Sequence, residues 1–516
     1  MTTGKFIFKA TLIIAFFSLM SKVLGLARDM VIAHQVGTSM SYDCYQIAIK
    51  MPNMLFTIVS GALATVIVPV FVEYASQGKK GEAWKVFNTV MVIISLFYLG
   101  ASLIGILGAP LLVKFLGPSY QSEWPLIVDL LRILMPLMVF TGLASLFTGL
   151  LNANNTFGLP AFSTSVNNIL IIIFALTLGA FYDIQGLALG TVLAAVGMAL
   201  IQLPALLKSG FRLSLNIDFK HPGVRQVYYL ALPSVLGIAI NQAPILINMV
   251  LGTWLPVGSL SALSYADRLN QFPLGLFGMA LSTAVFPTLS ARAASRDRDG
   301  VADILSKSLK AVALITVPAS VGLMVLSKPI VSLAFERGAF NEVSAEITSI
   351  AVFFYAIGLL GQAGVFLLTR VFYSLQDTRT PVKIAVVAVL LNLVMSLILI
   401  NPLQLGGLAL ASSLYSLANM ALLVFFLGKK LPGLYRSGWL KFSLAVLVSA
   451  GLMAAVSYLA NSALAGWFPG IAGLIIQVGL AGIAGIVVYL AAVLLLANRE
   501  VRYFWRVARG SRTGIR

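Results

Sequence analysis

The chain has a single cysteine, Cys44, and two histidines, His34 and His221, in 516 residues. One thiol excludes an intrachain disulfide, and no His, Cys or carboxylate set stands at metal-ligand spacing. Charge is scarce: Asp, Glu, Lys and Arg make up 10% of the chain, with 17 acidic residues against 35 basic ones. No phosphate-binding P-loop or dinucleotide fingerprint occurs, so the sequence offers no means of nucleotide-driven work. What the chain has in quantity is apolar surface: 59% hydrophobic residues and a mean hydropathy of +0.97. That composition excludes a soluble multidomain protein.

Apolar runs of about 20 residues, bounded by polar turns, suit membrane-crossing helices. Fourteen such runs are expected, centred near residues 15, 60, 96, 140, 170, 196, 240, 275, 315, 360, 390, 417, 450 and 484. The runs are continuous, whereas barrel strands would alternate in polarity, so the expected class is an all-α polytopic membrane protein. Lys5 and Lys9 followed by Ala10 to Met20 resemble a signal peptide. No small-residue cleavage site follows, and the charged stretch Ser21 to Asp29 continues, so this segment reads as a retained first helix.

The formal net charge of +18 is explained without nucleic acid. On the fourteen-helix topology most Lys and Arg fall on one face. Four lie opposite (Arg28, Lys114, Lys328, Arg337), and four lie within or at the edges of spans (Lys22, Lys50, Arg132, Arg268). The positive-inside rule then places both termini in the cytoplasm. The basic tail 499–516 reads as an orientation signal lying on anionic headgroups.

Two stretches match at a nearly constant spacing. Ala62-Leu-Ala-Thr-Val-Ile-Val-Pro69 corresponds to Ala280-Leu-Ser-Thr-Ala-Val-Phe-Pro287, and Gly186-Leu-Ala-Leu189 to Gly407-Leu-Ala-Leu410. The polar turn before Pro160 (Asn154, Asn155, Thr156) parallels that before Pro381 (Gln376, Asp377, Thr378). An offset of six helices keeps the two copies in one orientation, as in transporters built from parallel repeats. The expected organisation is a first lobe over 1–215, a second over 216–430, two further helices over 431–498 and the tail.

Basic side chains inside apolar helices are costly, roughly 2.5–3.5 kcal/mol each at mid-membrane, and mark functional sites. The duplication places Lys50 on Arg268, each shortly before a proline (Pro52, Pro273) expected to kink its helix and open it toward a cavity between the lobes. Arg28 suits bidentate contact with phosphate, and Asp29 would orient it. Asp43 lies two turns before Lys50 on the same helix face. Arg132 and Asp129, within one turn, read as an interfacial pair.

The run Ser21-Lys-Val-Leu-Gly-Leu-Ala-Arg-Asp29, then Lys50-Met-Pro-Asn53, Tyr265-Ala-Asp-Arg268 and Gln376-Asp-Thr-Arg-Thr-Pro-Val-Lys-Ile384 resemble the MurJ/MviN lipid II flippases of the multidrug/oligosaccharidyl-lipid/polysaccharide exporter superfamily. The resemblance implies carriage of undecaprenyl-pyrophosphate-linked disaccharide pentapeptide to the outer leaflet for peptidoglycan synthesis. The cytoplasmic membrane, partnership with cell-wall synthesis machinery and an activity that is not enzymatic follow from it. It also implies substrate contacts at Lys22, Arg28, Asp29, Asp43, Lys50, Asn53 and Arg268. No cofactor is implied beyond coupling to membrane potential or to a monovalent cation, for which Asn241 and Asp377 are the candidates. One departure stands out: Met54-Leu-Phe-Thr57 follows Asn53 where many members carry basic residues, leaving Lys50 to compensate. The alternative reading is a cation-coupled exporter of drugs or of another lipid-linked oligosaccharide, for which acidic cavity residues are expected.

Overall fold

A computed structural model of the chain describes residues 3–64, 66–212, 217–436, 438–467 and 470–497. The expected lobe boundary at 215/216 and the basic tail 499–516 lie outside the described residues. The chain divides into two compact units. Unit 1 is Met1–Ser261 with Arg337–Phe340, and unit 2 is Ala262–Glu336 with Asn341–Arg516.

Unit 1 holds α1 (Thr3–Val36), α2 (Met40–Ala64), α3 (Ile67–Ser76), α4 (Lys80–Leu107), α5 (Ala109–Leu116), α6 (Trp124–Leu134), α7 (Leu137–Ala153), α8 (Gly158–Leu176), α9 (Leu178–Leu200), α10 (Leu203–Lys208) and α11 (Pro222–Gly252). Helix α1 packs on α8, and α11 packs on α2. The start of α2 is set by Ser39, whose Oγ accepts from Tyr42 N at 3.3 Å, an N-cap that satisfies one of the orphan amides of a first turn. Inside, the Tyr98 hydroxyl meets Ser60 Oγ at 2.8 Å, so its ring is buried without leaving a polar group unpaired.

The boundary between units falls inside α12 (Ser259–Pro273). Unit 2 continues with α13 (Met279–Ala294), α14 (Arg298–Val325), α15 (Ser327–Phe335), α16 (Glu342–Ile357), α17 (Leu359–Ser374), α18 (Arg379–Lys430), α19 (Trp439–Leu464) and α20 (Gly470–Leu496). One core joins Leu305, Leu309, Leu367, Val371, Phe372 and Leu427. A second holds α19 and α20 together and against α14, through Phe442, Val446, Met453, Tyr489 and Val493 with Leu314 and Val317. The last two helices are thus docked on unit 2, with the Tyr489 hydroxyl donating to Leu314 O at 2.9 Å.

The duplication read from sequence reappears in the backbone. Helices α4 and α14 are each 28 residues long. Asp183 has φ 49° and ψ −132°, and Gln404, 221 residues on, has φ 47° and ψ −126°. Each marks a sharp corner, within α9 and within the 52-residue α18. The matched glycines have the same reason to be glycine. A Cβ on Gly186 would lie 2.0 Å from Leu178 O, and one on Gly407 2.1 Å from Leu399 O, because each helix passes tightly behind the corner.

Among the described residues no strand occurs and ten helices are long and apolar enough to cross a membrane. The number rises to twelve if each of two bent pairs is one span. The chain is a multi-pass helical membrane protein, although these helices do not establish the expected count of fourteen. The two prolines behave differently. Pro273 is followed by a π-helical stretch, Leu274–Gly278, and the helices on either side meet at 43°. By contrast, α2 runs on through Pro52 to Ala64 without a π-helical stretch.

Candidate functional site

Ser21, Gly25 and Arg28 follow one another at i, i+4 and i+7 on α1 and so share one face of the helix. Continuous helix over Thr3–Val36 puts Arg28 on α1. Its Nε and Nη2 donate to Asp29 Oδ1 at 3.0 and 2.7 Å, and its Nη1 donates to Asn168 Oδ1 at 3.0 Å. The Arg28 side chain is 15% exposed and that of Asp29 7%. Asn168, on α8, completes the arrangement by donating Nδ2 to Ser21 O at 3.0 Å and Ser21 Oγ at 3.3 Å. Removing one partner of such a buried charged pair would leave an uncompensated charge. A guanidinium carries five N–H donors, so these three bonds leave two, one on each terminal nitrogen.

Asp43 is held by a different set of partners. It is fully buried, and both oxygens are committed within unit 1. Oδ2 accepts from Gly258 N at 2.6 Å and Tyr120 Oη at 2.9 Å, and Oδ1 from Ser261 N at 2.7 Å and Ser261 Oγ at 2.5 Å. A carboxylate so placed answers the orphan amides at the start of α12 and favours the positive end of that helix. Asp43 thus braces the 258–261 turn. Gly258, at φ 90°, is where a Cβ would lie 2.7 Å from Thr38 O, so the turn can close only with glycine there.

The other residues singled out in the sequence lie as follows. Lys22 is half-buried on α1 and Lys50 half-buried on α2, while Asn53 is exposed. Arg268 is exposed on α12, in unit 2. The structure therefore joins Arg28 and Asp29 directly. Asn241 is exposed and donates to Gly237 O of its own helix at 3.0 Å. Asp377 accepts from Thr380 N at 3.0 Å and Thr380 Oγ1 at 2.6 Å and pairs with Lys430. It therefore serves as a cap with its own countercharge. Burial alone would raise its carboxyl, but the hydrogen bonds from Lys430 and Thr380 outweigh that and hold it down at about 2. Among the described residues no three His, Cys, Asp or Glu come together to hold a metal ion. Arg132 and Asp129 lie 4.0 Å apart and exposed, a pair worth little.

Asn168 and the 258–261 turn were missed in the sequence. Reading only the charged residues of apolar segments overlooks Asn168, although an amide inside the run Gly158–Leu176 carries the same signal in weaker form.

The model of the family described as lipid II flippase MurJ matches residues 32–478. The probable lipid II flippase MurJ of Vibrio cholerae is 31% identical over 96% of this chain and 98% of its own length. The lipid II flippase MurJ of Burkholderia cenocepacia is 30% identical over 87% and 89%. A solved structure of a lipid II flippase MurJ in an inward closed conformation superposes with a TM-score of 0.79 at 26% identity, covering 95% of this chain and all of that one. An inward-facing multidrug resistance transporter of the MATE family superposes with a TM-score of 0.72 at 12% identity, covering 83% of this chain and 99% of that one. The second likeness is one of fold.

Proposed function

Because this chain belongs to the lipid II flippase MurJ family, we propose that it carries lipid II from the inner to the outer leaflet of the bacterial inner membrane, supplying peptidoglycan synthesis. The observation that supports this reading is Arg28: a guanidinium on an apolar helix, oriented by Asp29 and Asn168, with two N–H donors left for an anion. Guanidinium geometry matches a phosphate, and the pyrophosphate is the one strongly anionic group where the lipid joins the sugar. Lys22, Lys50 and Arg268 add positive charge, and Asn53 a polar contact. An exporter of cationic drugs would instead place acids at these positions.

The lipid tail stays in the membrane, since moving apolar chain into a cationic, hydrated site gains nothing. Alternation between inward-open and outward-open states completes the cycle with no covalent step, and both termini lie in the cytoplasm. The return of the empty cationic site draws on membrane potential, about 2.3 kcal/mol per charge per 100 mV. Flipping that persists unchanged after the potential is collapsed removes this coupling.

The decisive experiment replaces the flippase of a cell-wall-dependent bacterium with this gene. Growth is expected with the parent chain and is expected to fail with Arg28→Ala or Arg268→Ala at equal membrane abundance. Failure of the parent to support growth refutes the lipid II assignment, and full growth with both variants refutes the cationic site.

A further inference from the structure

Three of the five N–H donors of Arg28 are engaged. Asp29 takes the Nε/Nη2 edge and Asn168 takes one donor of Nη1. The Asp29 contact comes from the neighbouring residue on the same helix, so by itself it leaves the guanidinium free to swing with α1. Asn168 comes from α8, 140 residues away. Its amide is fixed in turn by Ser21 O and Ser21 Oγ, and the residue is buried. The side chain therefore has one available orientation: with Nδ2 on Ser21, Oδ1 must face Arg28. We propose that Asn168 is a positioning residue for anion binding, a neutral acceptor that locks the plane of Arg28 and leaves its last two N–H donors for the substrate phosphate. This rests on the lipid II reading for the identity of the anion but not for the geometry.

Neutrality is the important property. An aspartate has the same shape, but ionised it would set a second carboxylate on Arg28 and cancel the charge that attracts the ligand. Protonated, it restores both contacts, its carbonyl oxygen accepting from Arg28 and its O–H donating to Ser21 O. Asn168→Asp is thus a titratable copy of the native residue, and it separates positioning from packing, which depends on shape alone.

The test measures undecaprenyl pyrophosphate binding to the full-length chain in detergent across pH, with thermal unfolding recorded in parallel. Asn168→Asp is expected to bind at least about tenfold more weakly than the parent at alkaline pH and to approach parental affinity as acid protonates the new carboxyl. Asn168→Ala is expected to bind at least about tenfold more weakly at every pH, for want of the acceptor. Binding by Asn168→Asp that differs from the parent by the same factor at all pH values, or parental binding by Asn168→Ala, overturns the proposal. Should the parent not bind the probe, the lipid II reading fails on its own. The positioning role is then judged by hydrogen exchange at Arg28 Nη1, the nitrogen that donates to Asn168, in arginine-labelled protein, assigned through Arg28→Lys. Exchange about tenfold faster in Asn168→Ala supports the role, and equal rates overturn it.

Discussion

Asp43 accepts two hydrogen bonds from Ser261, the residue 218 positions later, the same spacing that separates Ala62 from Ala280 in the repeated octapeptide. With Gly258 N and Tyr120 Oη on its other oxygen, the carboxylate holds four donors. Asp43→Ala strands all of them in a buried place, and a loss on the order of 3–5 kcal/mol is expected. Thermal unfolding in detergent should show a melting temperature lower by several degrees, with Asp43→Asn between the variant and the parent. An unchanged melting temperature in Asp43→Ala would refute the bracing role.

Arg28→Lys keeps the charge but not the planar fork. A lysine ammonium has three donors in all and cannot hold Asp29 and Asn168 as the guanidinium does while offering two more to a phosphate. Transport of lipid II in proteoliposomes is expected to fall at least about tenfold, with thermal stability changed far less. Parental transport by Arg28→Lys would mean that charge alone suffices at this position.

The two corners make a paired prediction. Asp183 and Gln404 sit at positive φ, where a side chain is strained by about 1–3 kcal/mol and glycine is not. Asp183→Gly and Gln404→Gly should each stabilise the chain by about 1 kcal/mol. Gly186→Ala and Gly407→Ala should act in the opposite sense, since the added methyl group meets a backbone carbonyl at 2.0 and 2.1 Å. Melting temperatures of the four variants check both signs, and a rise on either alanine substitution would contradict the packing described.

Asp377 gives a pH dependence. Its carboxyl is lowered from the ordinary 3.8 to about 2 despite partial burial, because Lys430 and Thr380 hold the ionised form. A carboxyl lowered in the fold stabilises it above the ordinary value and loses that contribution as pH falls toward the folded one. Lys430→Met should therefore melt below the parent near neutral pH, and the difference should close as pH falls from about 4 toward 2. A difference that persists at the acid end would assign the effect to packing of the lysine stem.

Helices and their duplication were legible because both leave local marks. Apolar runs mark the spans, and Gly186 and Gly407 mark two tight corners. The Arg28–Asp29 contact was legible because the two are neighbours. The bracing role of Asp43 was not legible: its partners at 258 and 261 are distant in sequence, and nothing near residue 43 announces burial. Pro52 and Pro273 look alike in sequence, yet only the second is followed by a π-helical stretch. A proline removes one donor, and the surrounding packing decides whether the helix yields. Asn168 went unread because its role exists only once α8 lies against α1.

The Asp43 brace also sets a schedule. Gly258 is 215 residues beyond Asp43, and at about 5–20 residues per second the ribosome needs roughly 10–40 s to deliver it. Through that interval α2 carries a carboxylate for which, of its four donors, only that of Tyr120 has been made. A nascent first half therefore lacks three of the four donors to Asp43 until the turn arrives. Chains stalled before residue 258 are incomplete in a specific place, which gives membrane quality control something to recognise.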